Sequence, residues 1–187
     1  MTSVFEGLDP VFSVLVRLGM GGLFLSTALH KARDLPSFAG TIRDYRIVPG
    51  WASGFAAGSL ASWEAVVALC LLLPELDPLG PLGALVLLAL YSGAIGTNLA
   101  RGRRDIDCGC NGFGRKRQTL SGWLVIRNAG LSVPLMLLLL THSNGRNLGW
   151  LDVLSIAAGL SIGFLLWLSA HELTVAKRSE PVVGKTP

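Results

Sequence analysis

Five long apolar runs divide the chain, at residues 11–29, 51–73, 79–100, 120–140 and 148–170. Each is close to the about 20 residues that a helix needs to cross a bilayer. Polar residues gather between the runs rather than alternating within them, so a transmembrane barrel does not fit. A chain in lipid must satisfy its backbone internally, and a helix does so within one segment. The pattern predicts an all-α, polytopic transmembrane helix bundle: a four-helix core plus a fifth helix, in one domain over residues 1–170. A polar tail covers residues 171–187. Pro74 and Pro78 mark the turn after the second run.

Between the first two runs, Leu35, Phe38, Ile42 and Tyr45 recur at helical spacing. This predicts a short amphipathic segment lying in the membrane interface. It either anchors to lipid or forms a lid over the later cysteine-bearing loop, which shares its face. His30 reads as an interfacial residue. Gly54 with Gly58, and Gly159 with Gly163, have the four-residue spacing that lets helices approach closely, within the bundle or in a homo-oligomer.

Composition supports lipid as the solvent. Hydrophobic residues make up 51% of the chain and charged residues 15%, against roughly 25% charged in soluble domains. The net charge of +4 could suggest nucleic acid, but no recognition motif for it is present. Of the 16 Lys and Arg, thirteen fall in the loop of residues 31–50, the loop of residues 101–120 or the tail. One, Arg146, falls on the other side, and Arg17 and Arg127 lie within helices. This asymmetry predicts a plasma (inner) membrane protein with its N-terminus outside. The C-terminus and the loop of residues 101–120 are then cytoplasmic. The first residues carry Glu6 and Asp9 and no basic residue, so the first run reads as a retained helix rather than a cleaved signal.

Candidate chemistry centres on Cys108-Gly109-Cys110 in that loop. Thiol exchange needs one thiolate to attack and a second thiol to resolve the mixed disulfide. Gly109 permits the tight turn between them. A disulfide across so short a loop is strained and readily passes on its oxidation. Arg101, Arg103, Arg104, Arg115, Lys116 and Arg117 favour thiolate, while Asp105 and Asp107 oppose it. Two thiolates also suit a soft ion such as Cu(I) or Zn(II), although the loop lacks the further ligands of a structural zinc site. An inert pair remains a third reading. Cys70, in the second run, reads as a small buried hydrophobe, with a relay to the loop pair as the alternative.

Glu64 lies in the middle of the second run, where a charge is costly and faces the bundle interior. Arg17 and Arg127 are its candidate partners. Asn98 and Asn128 add polar groups. The carboxylate either fixes helix register or helps to bind a quinone or carry a proton. Arg127 and Asn128 are then candidates to line a pocket with it.

These residues together resemble the methylamine-utilisation MauE family, within the wider DoxX-like membrane proteins. Carrying the resemblance are Lys31, Asp34 and Phe38, then Tyr45 and Pro49, Glu64, Asp107-Cys108-Gly109-Cys110 with Gly112-Phe113-Gly114, and the run from Trp123 to Asn128. Asn111, between the cysteines and Gly112, departs from the family's more compact run, and the fifth helix extends beyond its four-helix core. The resemblance implies a membrane redox protein that supports disulfide formation or maturation of a partner, thioredoxin-like or exported. The core is similar in plan to vitamin K epoxide reductases, where a cysteine pair exchanges electrons with a quinone. Against that, a cytoplasmic pair lies opposite an exported client. The rivals to thiol–disulfide exchange are a non-enzymatic assembly or stability factor for a membrane complex, and a soft-metal carrier.

Overall fold

The computed structural model describes residues 9–103, 120–140 and 147–176. They form six α-helices: α1 Pro10–Arg33, α2 Leu35–Tyr45, α3 Ser53–Leu72, α4 Leu79–Ala100, α5 Gly122–Leu140 and α6 Trp150–Ala176. Five of them are the five apolar runs, and α2 is the amphipathic segment. Two ends differ from expectation: α1 runs on to Arg33 and α6 to Ala176. Among the described residues there is no strand.

Local chemistry sets the helix ends. Asp9 caps α1, its Oδ1 accepting from the Val11 amide at 2.9 Å, with Pro10 at the first helical position, where a missing N–H costs nothing. Asp34 ends α1 and caps α2 at once, its Oδ1 accepting from the Ser37 amide at 3.1 Å. Pro36 has no N–H for the Ala32 carbonyl, so α1 cannot continue straight through it. At the end of α4, Gly102 adopts φ +72. Its amide donates to the Leu99 carbonyl at 3.0 Å, and the Arg103 amide donates to the Asn98 carbonyl at 3.0 Å. This pair of bonds is a Schellman stop, and the left-handed turn in it favours glycine.

α3 occupies the middle of the bundle, packed against α1, α2 and α4, and α4 packs against α5. A narrow α1–α5 contact closes the four-helix ring, and α6 lies along α1 outside it. Close approaches fall at one glycine that the spacing suggested, Gly159, and at others that it did not, such as Gly80. A Cβ at Gly80 would stand 2.8 Å from backbone atoms of Cys70 and Leu71, and one at Gly159 would meet Leu15 at 3.0 Å. Among the described residues, Gly54, Gly58 and Gly163 face nothing within 4 Å.

The bundle places polar groups inside and large apolar groups outside. Lys31, Glu64, Asn98 and Asn128 are buried, whereas Phe55, Val66, Leu69, Leu82, Ile126, Val133 and many similar residues are exposed. Lipid explains that inversion, because it rewards an apolar exterior while polar groups find partners within the bundle. Among the described residues, four helical segments are long and apolar enough to cross a membrane: Pro10–Arg33, Gly50–Leu72, Leu79–Ala100 and Gly122–Leu140. The apolar stretch described in α6 is shorter, Trp150–Leu166.

Candidate functional site

Polar residues from all four helices of the ring converge on one cleft. α1 contributes Thr27 and Lys31, α3 Glu64, α4 Tyr91, and α5 Arg127 and Asn128. Phe24, Leu88 and Leu131 are among its apolar walls, and the cavity is about 40 Å³.

Glu64 and Lys31 form an ion pair at the heart of this cleft, with side chains 1% and 3% exposed. The Lys31 Nζ donates to Glu64 Oε1 and, at 3.0 Å, to the Tyr91 hydroxyl. That hydroxyl in turn donates to the same Oε1. The Lys31 ammonium also lies 4.7 Å from the Tyr91 ring centroid and 4.8 Å from that of Phe38. A desolvated ammonium over an aromatic face gains about 2 kcal/mol. The rings thus help to offset the loss of water. Glu64 Oε2 has no hydrogen-bond partner among the described residues.

The partner of Glu64 differs from the two that the sequence offered. Arg17 lies elsewhere on α1 and pairs with Asp77, in the turn between α3 and α4. The apolar run stops at Leu29, which by itself puts Lys31 in the basic loop. The helix nevertheless continues through Arg33, which keeps Lys31 on the inward face, one helical repeat beyond Phe24 and Ala28. The clue was available in the sequence: an intramembrane carboxylate needs a cation, and Lys31 stands within one turn of the run's end.

Arg127 and Asn128 do line the cleft with Glu64, as the sequence suggested. Asn128 Nδ2 donates to Ser92 Oγ at 3.3 Å, tying α5 to α4. Asn98 is fully buried one helical repeat farther along α4, its Nδ2 donating to the Ala94 carbonyl at 3.1 Å. Cys70 is partly buried, at the point where Gly80 brings α4 close to α3. His30 is exposed. α2 packs on α3 and covers Lys31 with Phe38.

Cys108 and Cys110 lie outside the described residues. Residues 104–119 all do, and the described ends on either side of that segment, at Arg103 and Leu120, both meet the C-terminal end of α2. Arg103 donates to the Asp44 carbonyl at 3.3 Å and Arg101 to the Arg46 carbonyl at 3.5 Å. Leu120, 2% exposed, packs in a cluster with Tyr45, Ile95 and Leu124.

Apolar helices turned outward around a buried, hydrogen-bonded ion pair define a polytopic α-helical membrane protein. Comparison with known proteins gives its family: the chain belongs to the family described as methylamine utilisation protein MauE, which it matches over residues 9–141. That span contains both cysteines of the pair and every residue of the cleft. Three relatives bear the same description. The chain is 38% identical to that of Methylorubrum extorquens over 159 residues, covering 83% of this chain and 80% of the relative. It is 36% identical to that of Paracoccus denitrificans, over 67% of each chain. Identity to that of Paracoccus versutus is 34% over 88% of each. No solved structure matches.

Proposed function

We propose that this chain serves methylamine utilisation as a membrane thiol–disulfide exchange protein, with Cys108 and Cys110 as the reacting pair. The observation that carries the reading is the Cys-Gly-Cys sequence within the family-matching span. Its basic surroundings favour the reactive thiolate. A partner thiolate attacks one sulfur of the Cys108–Cys110 disulfide, and that bond breaks as a mixed disulfide forms. The partner's second thiolate then displaces the chain. The partner leaves with a disulfide, and its two protons and two electrons remain on the pair as two thiols. A thioredoxin-like protein in its disulfide form restores the pair by the same exchange in reverse.

A membrane quinone fits the central cleft poorly. A cavity of about 40 Å³ falls well short of the about 150 Å³ that admits benzene. The exchange is accordingly written between proteins.

The excess of Lys and Arg on one side argues for an inner-membrane orientation with the pair at the cytoplasmic face. A membrane-impermeant thiol reagent applied to intact cells should then leave the reduced pair unlabelled, and strong labelling at either cysteine would reverse the orientation.

The exchange itself is tested with single-cysteine variants, Cys108→Ser and Cys110→Ser. One of them should trap a mixed disulfide with a partner that mass spectrometry identifies. If the double variant supports growth on methylamine as well as the parent does, the redox reading is wrong and an assembly role takes its place. Stoichiometric Cu(I) binding by the pair without redox cycling would instead favour the carrier.

A further inference from the structure

We propose that Glu64 is an intramembrane proton-exchange site, served by water in the central cleft through its oxygen Oε2. This goes beyond the thiol chemistry and does not rest on it. The two oxygens of Glu64 are used differently. Oε1 accepts from both Lys31 Nζ and Tyr91 Oη, whereas Oε2 has no partner among the described residues, in a side chain 1% exposed. An ion pair serving structure alone gains from having every lone pair satisfied, because a buried, unsatisfied acceptor is costly.

The cleft beside Glu64 can supply what Oε2 lacks. Its volume of about 40 Å³ exceeds the roughly 10–15 Å³ that one water needs. A buried water also needs two to four polar partners, and the walls provide them. The Thr27 hydroxyl spends its hydrogen on the Phe24 carbonyl at 2.9 Å, so its oxygen is left to accept. The Asn128 amide has two hydrogens, and one of them is used on Ser92. Phe24, Leu88 and Leu131 are apolar, which directs water to the polar side.

Among the described residues that line the cleft, the charged and titratable groups around Glu64 come from three helices: Lys31 on α1, Tyr91 on α4 and Arg127 on α5. α2 presents the Phe38 ring to the ion pair. A proton arriving at Oε2 leaves the bonds of Lys31 and Tyr91 to Oε1 in place. In that step an O–H bond of cleft water breaks as the Oε2–H bond forms, and the next water replaces the proton. The reverse step releases it.

Infrared difference spectra of the full chain in lipid nanodiscs, recorded on acidification in H₂O and in D₂O, test this. The expected result is a carboxylic-acid C=O band that moves to lower frequency in D₂O and is lost in Glu64→Gln. Glu64→Asp should shift the band rather than delete it, which guards against a glutamine variant that fails to fold. The proposal is overturned if no Glu64-dependent band appears down to the lowest pH at which helix content is retained. A band indifferent to D₂O would overturn it equally, because the site would then be dry.

Discussion

The Lys31 ammonium lies 4.8 Å from the centre of the Phe38 ring, so α1 and α2 meet over a single buried charge. The short helix thus has a part in the bundle interior that neither an interfacial anchor nor a lid requires. Its inward ring closes one side of the Lys31–Glu64 pair. Removing the ring should do two things at once: lose apolar packing and admit water to the pair. Phe38→Ala is expected to lower stability by about 3 kcal/mol. Phe38→Leu keeps the packing and loses mainly the cation–π attraction, about 1–2 kcal/mol. Unfolding in mixed micelles at increasing SDS fraction measures both, and a Phe38→Leu variant as stable as the parent would mean that the ring acts only as packing.

Buried ion pairs are asymmetric in what their removal costs. Lys31→Met leaves the Glu64 carboxylate without its cation and should destabilise the bundle by about 3–5 kcal/mol. Replacing both partners by apolar residues, Lys31→Met with Glu64→Leu, removes the need as well as the bond and should recover most of that loss. The same unfolding assay, run as a double-mutant cycle, gives the coupling. Additive effects of the two changes would show that the pair contributes no mutual stabilisation.

Tyr91 divides its hydroxyl between the two charges, accepting from Lys31 at 3.0 Å and donating to Glu64. Tyr91→Phe retains the ring near the ammonium and deletes both hydrogen bonds. A loss of about 1–3 kcal/mol is expected for hydrogen bonds to charged groups. A neutral result in the unfolding assay would mean that water replaces the hydroxyl.

Much of this architecture was legible in the sequence, because lipid makes one rule dominate: about 20 apolar residues per span. The run at residues 79–100 became α4 with the same limits, and the Leu35, Phe38, Ile42, Tyr45 spacing became α2. Glu64, Arg127 and Asn128 were visible as polar residues in apolar surroundings, and they share the cleft. What failed was pairing across helices. Lys31 sits beyond its apolar run, and only the continuation of α1 to Arg33 turns it inward. Arg17 offered the right charge on the right helix, yet it pairs with Asp77 in a distant turn. Glycine spacing pointed to the tight contact at Gly159 but missed the one at Gly80, for a similar reason. Sequence shows where a side chain is missing, but not which neighbour occupies the space.

Gly80 and Gly54 test that last distinction. A Cβ at Gly80 would press on the backbone of Cys70 and Leu71 at 2.8 Å, and helix backbone cannot give way as a flexible side chain can. Gly80→Ala should therefore force α4 away from α3 and cost about 1–3 kcal/mol. Gly54 faces open space among the described residues, so Gly54→Ala should stabilise α3 by up to about 1 kcal/mol through helix propensity. If Gly54→Ala is instead destabilising in the unfolding assay, the open face of α3 is covered by another helix, for instance from a second copy of the chain.

The anchoring of α2 by α4 separates local from global stability. Arg101 and Arg103 donate to the Arg46 and Asp44 carbonyls, where the C-terminal end of α2 carries unsatisfied acceptors and partial negative charge. Arg46 itself closes that end in a left-handed conformation, φ 49, its amide donating to the Arg43 carbonyl at 3.1 Å. Both guanidinium bonds are exposed, and exposed bonds of this kind contribute no more than about 1 kcal/mol each. Arg101→Ala with Arg103→Ala should leave the global unfolding midpoint nearly unchanged. It should speed hydrogen exchange in the last turn of α2 several-fold, because local opening no longer has to break those contacts. Peptide-resolved hydrogen exchange in nanodiscs reads this directly. If exchange there stays at the parent rate, Tyr45 packed against Leu120 holds the turn by itself, and the arginines serve some other purpose at the membrane surface.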